Sequence, residues 1–404
     1  MSSREEASAK PAEFGSSRDV SNPYGHLLQL LADTPVSFAL EMDDGRVLRF
    51  GRTVPAFHVT ARSREGSRAL MSLNEGRIAE AYLAGHLDIS GDMLQPFQLR
   101  AKLHDRHPLL TAWRFIEPLL FGQVRANRKA IASHYEQDPE FFLNFLDRDV
   151  PLYTQGIFLS DEDTLAEASE RKLKYCFDAC RLKPGDRILE IGPGWGSWLK
   201  YASARGVKCT AITISDYSRN FLLGEAERLG YQWDIRFCDL LEYRPDEKYD
   251  AIVMMGVIEH LPQYQRVLQI FSGLLKSGGR VFLDGSSSAR KYALSSTTTK
   301  YIFPGNHSPW VLHDFLKALS ATQFSVQEMF DDRHSYFLSL RHWAMNWDSN
   351  KDRVVQLFGE HAYRRFRLYF WGTAAQFLSH HFGCYRLILS SRPEQRLAGE
   401  PDHA

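Results

Sequence analysis

Residues 187–198, Arg-Ile-Leu-Glu-Ile-Gly-Pro-Gly-Trp-Gly-Ser-Trp, decide the fold of this chain. The segment is a short apolar run interrupted by an acid, followed by three glycines at alternate positions and a helical pattern. It predicts a buried strand that turns directly into a helix over a nucleotide-like group. Glycine suits such a turn because it lets backbone N–H groups approach a ligand. We therefore predict cofactor contacts from Gly192, Gly194 and Gly196, with Glu190 supporting the loop.

The spacing of these glycines argues against a dinucleotide cofactor. A dinucleotide fingerprint would place its third glycine where this chain has Ser197, and no acid closes the next predicted strand, residues 208–214. The Glu-x-Gly-x-Gly-x-Gly order instead resembles motif I of the S-adenosylmethionine-dependent methyltransferases. Taken alone, the motif could also be a plain glycine turn between a strand and a helix.

Length and composition restrict the class of protein. With 404 residues the chain exceeds one average domain, and its formal net charge of +0 gives no support to a nucleic-acid partner. The 26 Phe, 17 Tyr and 8 Trp favour an apolar ligand site. The five cysteines lack zinc-type pairing, so we expect free thiols, no bound metal and a cytoplasmic protein. No apolar run is long enough to span a bilayer.

The rhythm of the chain predicts a small α+β domain followed by a larger α/β domain. The turn Asp43-Asp44-Gly45-Arg46 lies between two short alternating segments and predicts a hairpin. Residues 72–87 have helical spacing and predict a helix that ends near Gly85. Arg125, Arg128 and Lys129 form a basic segment that we interpret as a solvated helix face in preference to a lipid-binding one. The predicted parts are a disordered tail at 1–20, the small domain at 21–105, a helical connector at 106–150, the α/β domain at 151–392 and a second disordered tail at 393–404.

Strand and helix patterns alternate from Thr164 onwards, as a doubly wound sheet requires. The predicted strands are 187–191, 208–214, 234–238, 249–255, 279–283, 325–330 and 385–390; the predicted helices are 164–180, 197–204 and 217–229, with a helical insertion at 309–319.

Several short motifs follow one another in a specific order. Residues 153–158 read Tyr-Thr-Gln-Gly-Ile-Phe, residues 258–261 read Ile-Glu-His-Leu, and residues 300–305 read Lys-Tyr-Ile-Phe-Pro-Gly. Together they resemble the cyclopropane fatty acid synthase family, which includes the mycolic acid methyltransferases, and the resemblance covers about residues 35–392. It implies a class I, Rossmann-like methyltransferase fold, S-adenosylmethionine as the cofactor, and unsaturated acyl chains of membrane phospholipids as the substrate.

The resemblance also implies further cofactor contacts. Tyr153 and Thr154 are expected over the methionine end of the cofactor, Thr213 on the ribose side, and Asp239 with Leu240 beside the adenine.

In this family an alkene attacks the sulfonium methyl, so the site must orient both reactants and tolerate a carbocation. Aromatic faces can stabilise such a cation. Tyr153, Phe303, Trp310 and Tyr336 are our candidates, although Phe303 and Trp310 could equally be core residues.

The carbocation must then lose a proton. In cyclopropane-forming relatives a bicarbonate held by a Cys, a Glu, a His and a Tyr is thought to accept it. Glu259 and Tyr336 stand at the Glu and Tyr positions, but Gln155 replaces the Cys and Asp284 replaces the His. Because two carboxylates and a bicarbonate would repel one another, we hypothesise that bicarbonate is absent or weakly held. Asp284, with Glu259, is then the predicted base; a degenerate site is the alternative.

A changed base favours a methyl- or methylene-branched product over a cyclopropane, since it can remove a proton from a neighbouring chain carbon. Two other functions stay open: a small-molecule amine N-methyltransferase and a non-catalytic lipid-binding protein. We further expect that the small N-terminal domain binds lipid or mediates a homodimer, and that the protein associates peripherally with the inner membrane.

Overall fold

A computed structural model of the protein describes residues 24–104, 138–291, 296–302 and 309–391. The chain divides into two compact units at His104. The two predicted tails, the basic segment near Arg125 and the candidate Phe303 lie outside the described residues.

The N-terminal unit is a four-stranded sheet in the order β2-β1-β3-β4, with short helices. The predicted hairpin is present, because β1 and β2 pair antiparallel and Gly45 adopts a φ of +81° in the turn between them. The helix predicted within 72–87 ends near Gly85 as expected: it spans Glu75–Leu83, Gly85 has a φ of +81° and a strand follows. The elements are α1 Gly25–Leu31, β1 Phe38–Glu41, β2 Val47–Phe50, β3 Phe57–Ala61, α2 Arg64–Met71, α3 Glu75–Leu83, β4 Leu87–Gly91 and a 3₁₀ helix Gln95–Lys102.

The C-terminal unit is built on a seven-stranded sheet in the order β10-β11-β9-β8-β5-β6-β7. The five strands from β9 to β7 are parallel, and β11 and β10 complete the sheet in antiparallel pairings. The predicted α/β doubly wound fold is thereby confirmed. The strands are β5 Arg187–Ile191, β6 Lys208–Thr213, β7 Asp234–Phe237, β8 Tyr249–Met255, β9 Leu275–Ser287, β10 Phe324–Asp331 and β11 Gly383–Ser391.

Helices surround this sheet, and the largest helical segment was not predicted. It lies between β10 and β11, whereas the predicted insertion over 309–319 is a single short helix ahead of β10. Among the described residues, no helix combines the length and apolar character that crossing a membrane requires. The helices are α4 Pro139–Leu143, α5 Leu165–Ala179, α6 Ser197–Ser203, α7 Asp216–Leu229, the 3₁₀ turn Ile258–His260, α8 Tyr264–Leu274, α9 Ser296–Tyr301, α10 Leu312–Leu319, α11 Arg333–Ser349, α12 Lys351–Phe358 and α13 Glu360–Leu378.

The strand order positions the site. The chain runs outward from β5 to β6 and β7 in one direction and then returns to β8 and β9 on the other side of β5. A doubly wound sheet of this kind binds its ligand at the carboxyl ends of the strands, at the point where the order reverses. Strand β5 ends at this point, and the glycine loop follows it.

Candidate active site

A cavity lies at the carboxyl ends of β5, β6, β7 and β8 and is lined by eight of the nine predicted cofactor residues. Its remaining walls are mostly apolar, as is usual for a cofactor site. The eight are Tyr153, Thr154, Glu190, Gly192, Gly194, Thr213, Asp239 and Leu240.

The three glycines of the loop have different tasks. Gly194, with a φ of +53°, would carry a Cβ into open space, since no atom lies within 4 Å of that position. Gly196 does not line the cavity, and a Cβ there would lie 2.6 Å from the Leu222 side chain. The third glycine therefore allows α6 to pack against α7, and only the first two form the cavity wall. Ser218, which lines the cavity, donates a hydrogen bond to the Gly194 carbonyl at 2.8 Å.

Glu190 is a buried acid on the cavity wall with one carboxyl oxygen that has no partner among the described residues. Its side chain is 3% exposed, and its Oε2 has no hydrogen-bond partner within the part of the chain that the structure describes. Burial raises the pKa of this carboxyl to about 8. Burial therefore favours the protonated form of Glu190, which can donate a hydrogen bond.

Asp239 follows β7 on the cavity wall. Its Oδ1 accepts a hydrogen bond from the Leu241 amide at 2.8 Å, which fixes the orientation of the carboxylate. These features fit S-adenosylmethionine, which has polar groups and a broad apolar surface. They are the exposed backbone at Gly194, the carboxyl of Glu190 with an oxygen that has no partner among the described residues, and the oriented carboxylate of Asp239.

Glu259 lies on the 3₁₀ turn after β8, between the cavity-lining residues Val257 and His260. Its Oε1 accepts hydrogen bonds from Ser286, at 2.7 Å from the amide and 3.0 Å from the hydroxyl. Its Oε2 has no partner among the described residues. Burial raises the pKa of Glu259 to about 7, against the opposing effect of the hydrogen bonds. This carboxyl can therefore take up or release a proton near neutral pH.

Asp284 has a different environment, because a buried lysine neutralises it. Lys172 Nζ lies 2.7 Å from Asp284 Oδ2, and both side chains are 0% exposed. Asp284 Oδ1 accepts a hydrogen bond from the Gly256 amide at 3.0 Å. The repulsion predicted between Asp284 and Glu259 is thus offset by a cation.

Lys172 was missed by sequence reasoning. It lies on the buried face of α5, and its ammonium group contacts three oxygens, one in the ion pair and two through hydrogen bonds. Besides Asp284, these are Thr154 Oγ1 at 3.2 Å and the Gln155 carbonyl at 2.9 Å. The available signal was a lysine at a helical position whose neighbours one turn away, Ala168 and Cys176, are small and apolar.

Gln155 links this ion pair to a second one. Its Nε2 donates to Asp332 Oδ2 at 3.3 Å, and the same oxygen lies 3.3 Å from Arg386 Nε. Two acids and two bases are thus buried together, with Glu259 as a further acid nearby. The two carboxylates pair with the two cations, but Arg386 Nε and Nη1 have no hydrogen-bond partner among the described residues, so weak or absent bicarbonate stays a prediction.

The predicted aromatic residues lie in different places. Tyr153 lines the cavity, and its ring packs 5.3 Å from that of Trp343. Tyr336 does not line the described cavity; its ring lies 4.5 Å from Phe377. Trp310 is fully buried and packs against Phe315, as the core interpretation expects.

Tyr369 on α13 is a second residue that the sequence did not reveal. Its pKa is raised, chiefly by burial and also by the charge of Glu259, while a hydrogen bond with Tyr153 opposes the shift. Tyr369 therefore connects a tyrosine of the cavity wall to the surroundings of Glu259. Glu259, Asp284 and Gln155 do not line the cavity. Their contact with an acyl-chain substrate therefore stays a prediction. The described residues contain no group of three or more His, Cys, Asp or Glu that could hold a metal ion.

Comparisons with known proteins show the family of this chain. The sequence model of the family described as "Mycolic acid cyclopropane synthetase" matches residues 123–387. A sphingolipid C9-methyltransferase from Candida albicans is 27% identical over 331 residues, which cover 76% of this chain and 64% of that protein. A probable fatty acid methyltransferase from Pseudomonas putida is 26% identical over 317 residues, covering 74% of this chain and 78% of that protein.

A solved structure supports the fold. The crystal structure of the mycolic acid cyclopropane synthase CmaA1, complexed with SAH and CTAB, matches with a TM-score of 0.60 at 23% sequence identity, covering 65% of this chain and 98% of that one. The predicted family and fold class are confirmed. The family match extends over most of the C-terminal unit, so this chain belongs to the mycolic acid cyclopropane synthetase family of S-adenosylmethionine-dependent methyltransferases.

Proposed function

We propose that this protein transfers a methyl group from S-adenosylmethionine to a double bond in an unsaturated acyl chain of a phospholipid. Glu259 carries the proposal: it is a buried carboxyl with a pKa of about 7 and one oxygen without a partner in the described structure, next to residues that line the cofactor cavity. The lipid-modifying relatives from Candida albicans and Pseudomonas putida support the substrate class.

Different residues of the chain would bind the cofactor and accept the proton. When bound, S-adenosylmethionine supplies an electrophilic methyl group. Gly192, Gly194, Glu190 and Asp239 would hold it, and the rings around Tyr153 would exclude water from the reacting carbon.

Glu259 is the proposed base. Ser286 holds its Oε1, so Oε2 is the oxygen left to accept the proton that the methylated acyl chain must lose. Asp284 was predicted to share this task, but its Oδ2 is held in the ion pair with Lys172 and its Oδ1 accepts a hydrogen bond from the Gly256 amide. We therefore assign proton removal to Glu259 alone and place Tyr336, Gln155 and Asp284 in supporting positions.

The lipid head group can be determined with purified protein. Vesicles of a monounsaturated phospholipid, the same phospholipid with saturated chains, or an unsaturated sphingolipid are incubated with S-adenosylmethionine, and lipids are analysed by mass spectrometry. We expect a gain of one CH₂ unit in the unsaturated phospholipid and none in the saturated one. Methylation of the sphingolipid alone would replace the phospholipid with that class.

The same assay addresses the other functions. Cofactor binding without any lipid product would indicate a non-catalytic lipid-binding protein, and transfer only to added amines would indicate an N-methyltransferase. Sedimentation of the protein with the vesicles tests the proposed association with a membrane surface, and sedimentation velocity tests the proposed homodimer.

A further inference from the structure

A buried ion pair joins α5 to the wall of the cofactor cavity. Lys172 and Asp284 are both 0% exposed, and their charged atoms lie 2.7 Å apart. Neither residue lines the cavity, but each contacts a residue that does. We infer that Lys172 is a positioning residue for S-adenosylmethionine, because its ion pair with Asp284 holds Thr154 and Gly256 in place. The inference rests on the proposed function, which names this cofactor.

The first contact fixes the Thr154 hydroxyl. Lysine can only donate, so Thr154 Oγ1 accepts from Lys172 Nζ at 3.2 Å and must direct its own hydrogen elsewhere. The acceptor at the shorter distance is Gln155 Oε1 at 2.7 Å, while Asp284 Oδ1 lies 3.3 Å away. The ammonium group therefore sets the rotamer and hydrogen direction of a side chain on the cavity wall.

The second contact fixes the backbone after β8. The Gly256 amide donates to Asp284 Oδ1 at 3.0 Å and lies 3.2 Å from the Asp284 carbonyl. Gly256 has a φ of +66°, which other residues adopt only with strain. The segment that follows carries Val257 and His260 into the cavity lining and Glu259 behind it. The carboxylate thus anchors the start of the segment that bears the proposed base.

Stability alone is a poor reason for this ion pair. Replacing a buried ion pair by apolar residues of similar size is often neutral or stabilising, because two charges no longer have to leave water. A position that required only packing would therefore accept an apolar pair. Here the charges point at a threonine and an amide of the cavity wall, so their effect is expected on ligand binding.

The test compares two double variants. Lys172→Met with Asp284→Leu removes the buried ion pair and leaves no unpaired charge. The control, Lys276→Met with Asp250→Leu, removes a partly exposed ion pair of 2.8 Å between β9 and β8, at the end of β9 that lies away from Asp284. Binding of S-adenosylhomocysteine is measured by calorimetry, thermal unfolding is followed in parallel, and KM for S-adenosylmethionine is separated from kcat.

We expect the buried-pair variant to bind S-adenosylhomocysteine at least about 10-fold more weakly with a near-normal unfolding temperature, since small displacements of binding groups are costly. KM for S-adenosylmethionine should rise more than kcat falls. The control should stay within about twofold of the wild type in affinity.

Unchanged affinity in a folded buried-pair variant would overturn the inference. Asp284→Asn, which keeps an acceptor for Gly256 but loses the charge, is the second variant and should also bind more weakly. If neither variant folds, the pair is purely structural and the inference is rejected. A wild type that does not bind S-adenosylhomocysteine at all would instead reject the proposed function.

Discussion

Glu259 and Asp284 are two carboxylates at the same end of the sheet, both almost fully buried, and they differ in their partners. Asp284 has a lysine 2.7 Å away and an amide on its other oxygen. Glu259 has hydrogen bonds to one oxygen only, and its pKa is raised to about 7. Burial alone therefore does not make a base: the candidate must also have an oxygen that no neighbouring group holds, as Glu259 does among the described residues.

We expect the largest effect on activity when the carboxyl group of Glu259 is replaced. Glu259→Gln keeps the size of the side chain and its hydrogen bonds with Ser286 but cannot take up a proton. We expect kcat to fall by about 10²–10⁴-fold, the usual contribution of a general base. Affinity for S-adenosylhomocysteine should stay near that of the wild type, and a variant with normal turnover would exclude Glu259 as the base.

Removing only the cation tests the other carboxylate. Lys172→Met leaves Asp284 buried without its charge partner, so the free energy of unfolding should fall by about 3–5 kcal/mol in urea denaturation. The variant that also carries Asp284→Leu should recover most of this loss. If Lys172→Met alone is as stable as the wild type, the ion pair does not offset the cost of burying Asp284.

The pH dependence of kcat/KM tests whether Glu259 is the base. A base must be deprotonated, so activity through Glu259 should be low at acid pH and rise through a pH of about 7, with kcat/KM increasing about tenfold per pH unit below that value. The measurement is a pH profile of kcat/KM with vesicles held at constant composition. A profile that is flat between pH 5 and 8 would contradict Glu259 as the titrating base.

The smallest expected effect concerns bicarbonate. Because two carboxylates of the cluster already pair with its two cations, Lys172 and Arg386, removing bicarbonate from the buffer or adding it should change turnover by less than about twofold. The assay is run in degassed buffer with and without added bicarbonate. Strong activation by bicarbonate would show that the buried cluster opens to a further anion.

The parts of the structure that depend on local pattern could be predicted from the sequence. Strands β5 and β8 were placed at their observed bounds, because buried parallel strands are continuous apolar runs with clear ends. Helices α11 and α13 were not, since their aromatic residues are buried on several sides and leave no single apolar face.

The candidate site was only partly predictable, because only some of its residues belong to a local sequence pattern. The glycine loop has its own pattern, so Gly192 and Gly194 could be placed on the cavity wall. The packing role of Gly196 depends on Leu222, and the role of Lys172 depends on Asp284, which is distant in the sequence. The role of a residue that depends on a partner distant in the sequence cannot be predicted from the neighbouring residues alone.

The most direct test of the account follows the methyl group itself. The protein is incubated with an unsaturated phospholipid and S-adenosylmethionine carrying a trideuterated methyl group, and the product chain is analysed by mass spectrometry and NMR. We predict that deuterium appears in the acyl chain at the former double bond, with all three deuterons retained in a methyl-branched product and two in a cyclopropane. Deuterium that appears in no acyl chain, while the cofactor is bound, would contradict the account.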